Sequence, residues 1–178
     1  MAALISSDIL PDVLIDGLNL VFCGTAPSKT SEAAQAYYAN PRNRFWRILH
    51  ECKFTDVELM PSEYYQLINR KIGLTDLCKL ESGSDDKLKT SSFLPERLRQ
   101  SIERYQPHFL AFTSKNAGQQ FLGKNVKYGP QQGVGLTKVY ILPTTSPRRG
   151  DVWWNKNKRY WYEFANEFHE AFRLKEAN

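Results

Sequence analysis

Apolar residues along this chain gather into three short continuous runs, set apart by stretches whose hydrophobic positions recur at helical spacing. Leu18, Leu20, Val21, Phe22 and Cys23 make the first run, Phe109–Phe112 the second, and the third covers residues 139–142. Runs this short and without alternation predict central strands covered on both faces. Between them, Phe45, Trp46, Leu49 and Cys52 share one helical face. Leu94, Leu98, Ile102 and Tyr105 share another, which Pro95 opens and Pro107 closes. Ser62 is placed to cap a helix running through Tyr65 and Ile68, and Trp161, Phe164, Phe168 and Phe172 form the inward stripe of a last helix. Residues 73–77 read as a further short extended piece ending at Asp76. Strands alternating with helices predict a parallel α/β sandwich. Two segments carry no periodicity. Residues 81–92 read as a mobile loop near the ligand side, and residues 123–137, with four glycines and Pro130, as a loop or small hairpin.

Each strand hands over to small polar residues. The first run stops at Gly24 and continues as Thr25-Ala26-Pro27-Ser28, the second as Thr113-Ser114-Lys115, and the third as Pro143-Thr144-Thr145-Ser146-Pro147-Arg148-Arg149. Ligands of open parallel sheets gather outside the carboxyl ends of the strands, so Thr25, Ala26, Ser28 and Ser31 are placed to line a site. A plain strand-to-helix connection, with serines and threonines capping helices, reads the same residues equally well.

Composition narrows the class. At 178 residues, 42% hydrophobic and 24% charged, the chain fits one soluble domain over residues 1–178, with residues 1–11 as a loosely ordered lead-in. The formal charge of +5 favours an anionic partner, and Arg42, Arg44 and Arg47 surround Phe45 and Trp46 much as Lys156, Lys158 and Arg159 adjoin Trp153, Trp154, Tyr160 and Trp161. Basic residues interleaved with aromatics suit nucleic acid, and suit amphipathic packing as well. Cys23, Cys52 and Cys78 have neither CxxC spacing nor a nearby histidine, so no metal site is expected, and their odd number points to a reducing, intracellular setting. No membrane-spanning run is present in the sequence.

Three motifs in order, GTAPSKTS, YYANPRNRFW and LPTTSPRR, resemble the uracil-DNA glycosylase superfamily, in particular its mismatch-specific and thymine-DNA glycosylase branch. The resemblance runs from about Asp12 to the last helix. It implies a three-layer sandwich with a central four-stranded parallel sheet flanked by helices, DNA bound across the strand ends, and excision of a damaged base that has been flipped out of the duplex.

The resemblance also implies roles for particular residues. Arg148 falls at the position that wedges into the stack, and Tyr38 where an aromatic lies against the flipped base, with Tyr37 able to exchange roles with it. Thr25, Ala26, Ser28 and Thr144 would meet the base, while Ser31, Ser114, Lys115, Ser146 and Arg149 would meet phosphates. Relatives commonly place asparagine where Ala26 stands, to position the attacking water, and alanine cannot do so. Two substitutes remain open. Asp76 would orient water and stabilise the positive sugar; Asn43, whose counterpart matters in hypoxanthine-DNA glycosylases, would orient water or base, or simply tie a helix start to its turn.

The expected activity is that of a monofunctional base-excision enzyme acting on deaminated bases. Uracil opposite guanine leads, with hypoxanthine, xanthine or thymine as further substrates. The expected partner is duplex DNA with a deaminated or mismatched base. The protein is expected to be a monomer needing neither metal nor organic cofactor, in bacterial cytoplasm by default or in a nucleus. Two other classes stay open: a catalytically weak damage- or mismatch-binding protein, and a nucleotide or phosphate-metabolite enzyme on the same fold.

Overall fold

The computed structural model describes residues 7–173. Five strands form one sheet in the order β2-β1-β3-β5-β4, with β1 at Leu20–Gly24, β2 at Ile72–Asp76, β3 at Phe109–Phe112, β4 at Gly129–Val134 and β5 at Thr137–Ile141. The first four strands of that order are parallel, as expected. The fifth, β4, is antiparallel to β5, so the segment left open between loop and hairpin is a hairpin and the sheet has one strand more than the four expected. Its exposed, glycine-rich sequence carries no apolar run, which is why the strand is invisible to hydrophobic patterning.

Alternation along β1 builds the two cores. Leu20 and Phe22 face one side, where they meet α2 (Phe45–Glu51) and α6 (Arg159–Arg173); Val21 and Cys23 face the other, toward α3 (Pro95–Tyr105) and α4 (Lys115–Leu122). Phe22 is the hub of the first side, with Phe45, Phe54 and Trp161 ring centroids 5.5, 5.6 and 5.6 Å away. Helix α1 (Lys29–Ala34) is short, and the expected last helix is preceded by a separate one, α5 (Gly150–Asn157). The helix expected from Ser62 is instead a 3-10 helix over Pro61–Arg70, with Met60 at its N-cap and Pro61 in its first turn. Proline's preset φ suits that position.

The edges are finished differently. On the β2 side the lead-in, continued through Asp12 and Val13, crosses the strand: Val13 donates to the Leu74 carbonyl at 2.8 Å and accepts from Leu74 at 3.1 Å. The approach is so close that a Cβ on Gly73 would sit 2.5 Å from the Val13 carbonyl oxygen. The lead-in expected to be loose is therefore held from Ile9 onward, with Ile9 donating to Lys79 O at 2.8 Å and Leu10 buried; residues 1–6 lie outside the described residues. On the other side, β4 contains Pro130 and a register shift between Gln131 and Val134. Among the described residues, no helix is long and apolar enough to cross a membrane.

Truncating the hub tests this account. Phe22→Ala is expected to lower the unfolding free energy by about 3–5 kcal/mol, the usual cost of emptying a packed phenylalanine site, read as a lower urea midpoint at unchanged slope.

Candidate active site

The register aligns the carboxyl ends of the parallel strands. Gly24 pairs with Asp76 across β1 and β2, and Cys23 with Phe112 across β1 and β3. Because β2 lies on one side of β1 and β3 on the other, the chain reverses direction of winding at β1, which opens a crevice between the β1 and β3 ends. Thr25 and Ser114 meet across it, hydroxyl to hydroxyl at 2.9 Å.

Asp76 ends β2 and is buried. Its Oδ1 lies against Gly24, where a Cβ would come within 2.4 Å of it and 3.2 Å of Tyr38 Oη. Its Oδ2 is buried with no hydrogen-bond partner among the described residues. Burial pushes this carboxyl up to about 7, with Lys79 opposing the shift and Asp12 adding to it. A carboxylate that loses hydration without gaining donors prefers its neutral form.

Tyr38 forms the wall opposite. Its ring stacks on Phe45, with centroids 3.7 Å apart and planes 14° apart, and its hydroxyl lies 3.0 Å from Thr113 Oγ1. The residue is half-buried and left-handed, with φ 51°, a conformation costing a non-glycine residue about 1–2 kcal/mol. Neighbours hold it there. Ser28 caps α1 by accepting from Ser31 N, and Ser31 Oγ in turn accepts from Ala39 N at 3.1 Å. Tyr37, the alternative aromatic, is buried, with its hydroxyl on Pro11 O and its carbonyl accepting from Trp46 Nε1.

Several other expected site residues are engaged in holding the turns. Ser31 is 3% exposed, so the hydroxyl expected at a phosphate instead fixes the turn carrying Tyr38. Asn43 Oδ1 accepts from Phe45 N at 3.0 Å at the start of α2, the tying role left open for it. Ala26 packs against the second core. Thr144 Oγ1 accepts from Ser146 N, and Ser146 Oγ from Arg148 N. Ser114 caps α4 by accepting from Ala117 N. Arg148, Arg149 and Lys115 are exposed, the last two lying over the rings of Trp153 and Tyr128.

Three features escaped the sequence reading. Arg44, counted there as one of a basic bunch, donates from its guanidinium to Ser146 O at 3.1 Å and to Asp151 at 2.6 Å, bracing the loop that carries Arg148. The segment read as a mobile loop forms two single 3-10 turns, Asp85–Lys87 and Thr90–Ser92, and lies across the crevice. There Asp85 accepts from Thr25 Oγ1 and Asn116 Nδ2 at 3.3 and 3.0 Å, and Asp86 pairs with Arg148 at 3.1 Å. Finally, Lys79 is buried against Asp12 behind β2. Among the described residues, no group of three or more His, Cys, Asp or Glu side chains is set to hold a metal ion.

The sequence profile of the uracil DNA glycosylase superfamily matches residues 11–169, nearly the whole chain. The chain belongs to that superfamily. A solution NMR structure from Methanosarcina acetivorans, of a protein named as a candidate uracil DNA glycosylase, shares the fold at TM-score 0.58 and 20% identity, covering 89% of this chain and 96% of that one. Superfamily membership gives the site its context: a hydrolase of the DNA glycosylase kind, acting on DNA.

The state of Asp76 has a stability signature. Its carboxyl ionises near the ordinary value of 3.8 in the unfolded chain and near 7 in the folded one. The folded state therefore holds the proton longer, and the penalty on folding grows as pH rises from about 4 to about 7 and is complete above that. Asp76→Asn is expected to raise the unfolding free energy at pH 8 by up to about 4 kcal/mol. The gain should vanish near pH 4 in urea titrations.

Proposed function

We propose that this chain is a monofunctional DNA glycosylase that excises deaminated bases, uracil opposite guanine foremost and hypoxanthine, xanthine or thymine as further candidates, with Asp76 taking the place of the missing water-positioning residue. The observation that carries the reading is Asp76 Oδ2, a buried carboxylate oxygen without a hydrogen-bond partner among the described residues, beside Tyr38 at the strand ends. An attacking water is the donor such an oxygen lacks. Ionised Asp76 would accept a hydrogen bond from that water, stabilise the positive charge on the sugar as the C1′–N bond breaks, and take a water proton as the new C1′–O bond forms. The base leaves with the bonding pair, and an abasic site remains.

Tyr38, already stacked on Phe45, would extend that stack onto the flipped base, and Thr25 and Thr144 would border its edge. Arg148 would fill the vacated place in the duplex. Ser114, Lys115, Ser146 and Arg149 would run along the backbone. Asn43 is the weaker catalytic candidate because its side-chain oxygen is engaged by the α2 start. A damage-binding protein remains the second reading, favoured by Ala26, which packs against the second core and carries no polar side-chain atom to orient water.

Single-turnover release of free base from duplexes carrying each lesion opposite guanine separates the two readings. The wild-type rate is expected to rise with pH through about 7, where Asp76 ionises, and Asp76→Asn to lose on the order of 10²–10⁴-fold while still binding DNA. Tight binding without release by the wild type would favour the damage-binding protein.

Arg148 gives a separate prediction. It is held by Asp86 and must exchange that partner to enter a duplex. Arg148→Ala is expected to slow release from duplex more than from single strands. Asp86→Asn is expected to tighten duplex binding, measured by fluorescence anisotropy.

A further inference from the structure

Behind β2, on the side away from Tyr38, lies a second set of charges. Lys79, three residues beyond Asp76, has a side chain only 3% exposed and ion-pairs with Asp12. Thr75 donates to the same Asp12 oxygen at 2.6 Å and lies 3.4 Å from Lys79 Nζ. Arg97 on α3 approaches the other Asp12 oxygen at 3.8 Å while binding Asp8. Asp12, Thr75, Asp76, Lys79 and Arg97 line one small cavity. The backbone is as closely fixed as the side chains, because Ile9 donates to Lys79 O and Cys78 to Thr25 O, both at 2.8 Å. A buried lysine is costly unless paired, and the chain commits its lead-in to the pairing.

Resting on the reading of Asp76 as the residue that orients water, we infer that Lys79, held in place by Asp12 on the wall of the cavity it shares with Asp76, is a positioning residue that favours the charged carboxylate against the burial that neutralises it. The titratable or charged groups around Asp76 support this. Cys23 on β1, and Tyr37 and Tyr38 on the turn after α1, are pushed well up by burial and stay neutral. Asp12 repels a charge on Asp76, while Arg97 holds Asp8 and approaches Asp12 from α3. Lys79 is the cation that favours ionised Asp76. Asp12 thus has two opposed effects: it anchors the lysine and partly cancels its field.

These opposed signs make the test. Single-turnover release is measured against pH for the wild type, Lys79→Met, Lys79→Arg, Asp12→Asn and Asp76→Asn, with folding checked by circular dichroism and urea unfolding. Lys79→Met is expected to move the acid limb of the profile up by about one pH unit or more, with the plateau rate recovered at high pH. Lys79→Arg should return the limb to its wild-type place. Asp12→Asn should move it down, since the carboxylate that repels a charge on Asp76 is gone while Lys79 remains. Lowered plateaus with an unmoved limb in both neutral variants would make the pair purely structural and overturn the inference. If Lys79→Met does not fold, Lys79→Gln is measured in its place: a limb moved up supports the inference, and an unmoved limb overturns it. Full activity in Asp76→Asn would remove the water-orienting reading itself, an outcome distinct from an unmoved limb in an enzyme that needs Asp76.

Discussion

A carboxyl group buried at the adjoining ends of two parallel strands, with one oxygen that no donor among the described residues reaches, is the constraint around which the rest of this structure is arranged. The register that sets Gly24 opposite Asp76 brings the side chain against β1, and only a residue without a Cβ leaves room for it there. Tyr38 closes the other side from a left-handed turn that Ser28 and Ser31 hold in shape. Neither feature favours folding by itself. Strained backbone and desolvated charge collect where surrounding structure over-determines them, the usual circumstance of a working site.

The crevice between β1 and β3 is shaped by short polar ties rather than by a cavity of apolar walls. Thr25 meets Ser114, Tyr38 meets Thr113, and the segment carrying Asp85 and Asp86 reaches Thr25, Asn116 and Arg148. The two carboxylates engage the Thr25 hydroxyl, the Asn116 amide and the Arg148 guanidinium, so the protein satisfies these groups from within. Arg44 shows the converse economy of placement, a cation in a basic bunch that braces a loop from within.

Much of this was legible in the sequence because it rests on local rules. Apolar runs marked β1, β3 and β5, periodicity marked α2, α3 and α6, and the hydroxyl-rich handovers marked the strand ends. Asp76 and Tyr38 were singled out through motifs, and the fold set them together. What escaped reading depends on partners distant in sequence. Lys79 follows two apolar residues and meets Asp12 only because the lead-in folds back over β2, a closure no local pattern encodes. Asp85 and Asp86 look like solvated charge until the fold brings Thr25, Asn116 and Arg148 beneath them. β4 was left open between loop and hairpin for the opposite reason, since its pairing with β5 is carried by backbone and its exposed side chains leave no hydrophobic trace.

The two finished edges of the sheet have a consequence for behaviour in a crowded setting. Protein drawn onto a polyanion is concentrated locally, and an open strand edge at high concentration is a template for chain-to-chain pairing. Here the lead-in seals one edge at Val13 and Leu74, and Pro130, which has no N–H to offer, interrupts the other beside the shift between Gln131 and Val134. Neither border presents an unbroken ladder of donors and acceptors, so the fold can be crowded along its substrate without its sheet growing into a neighbour's.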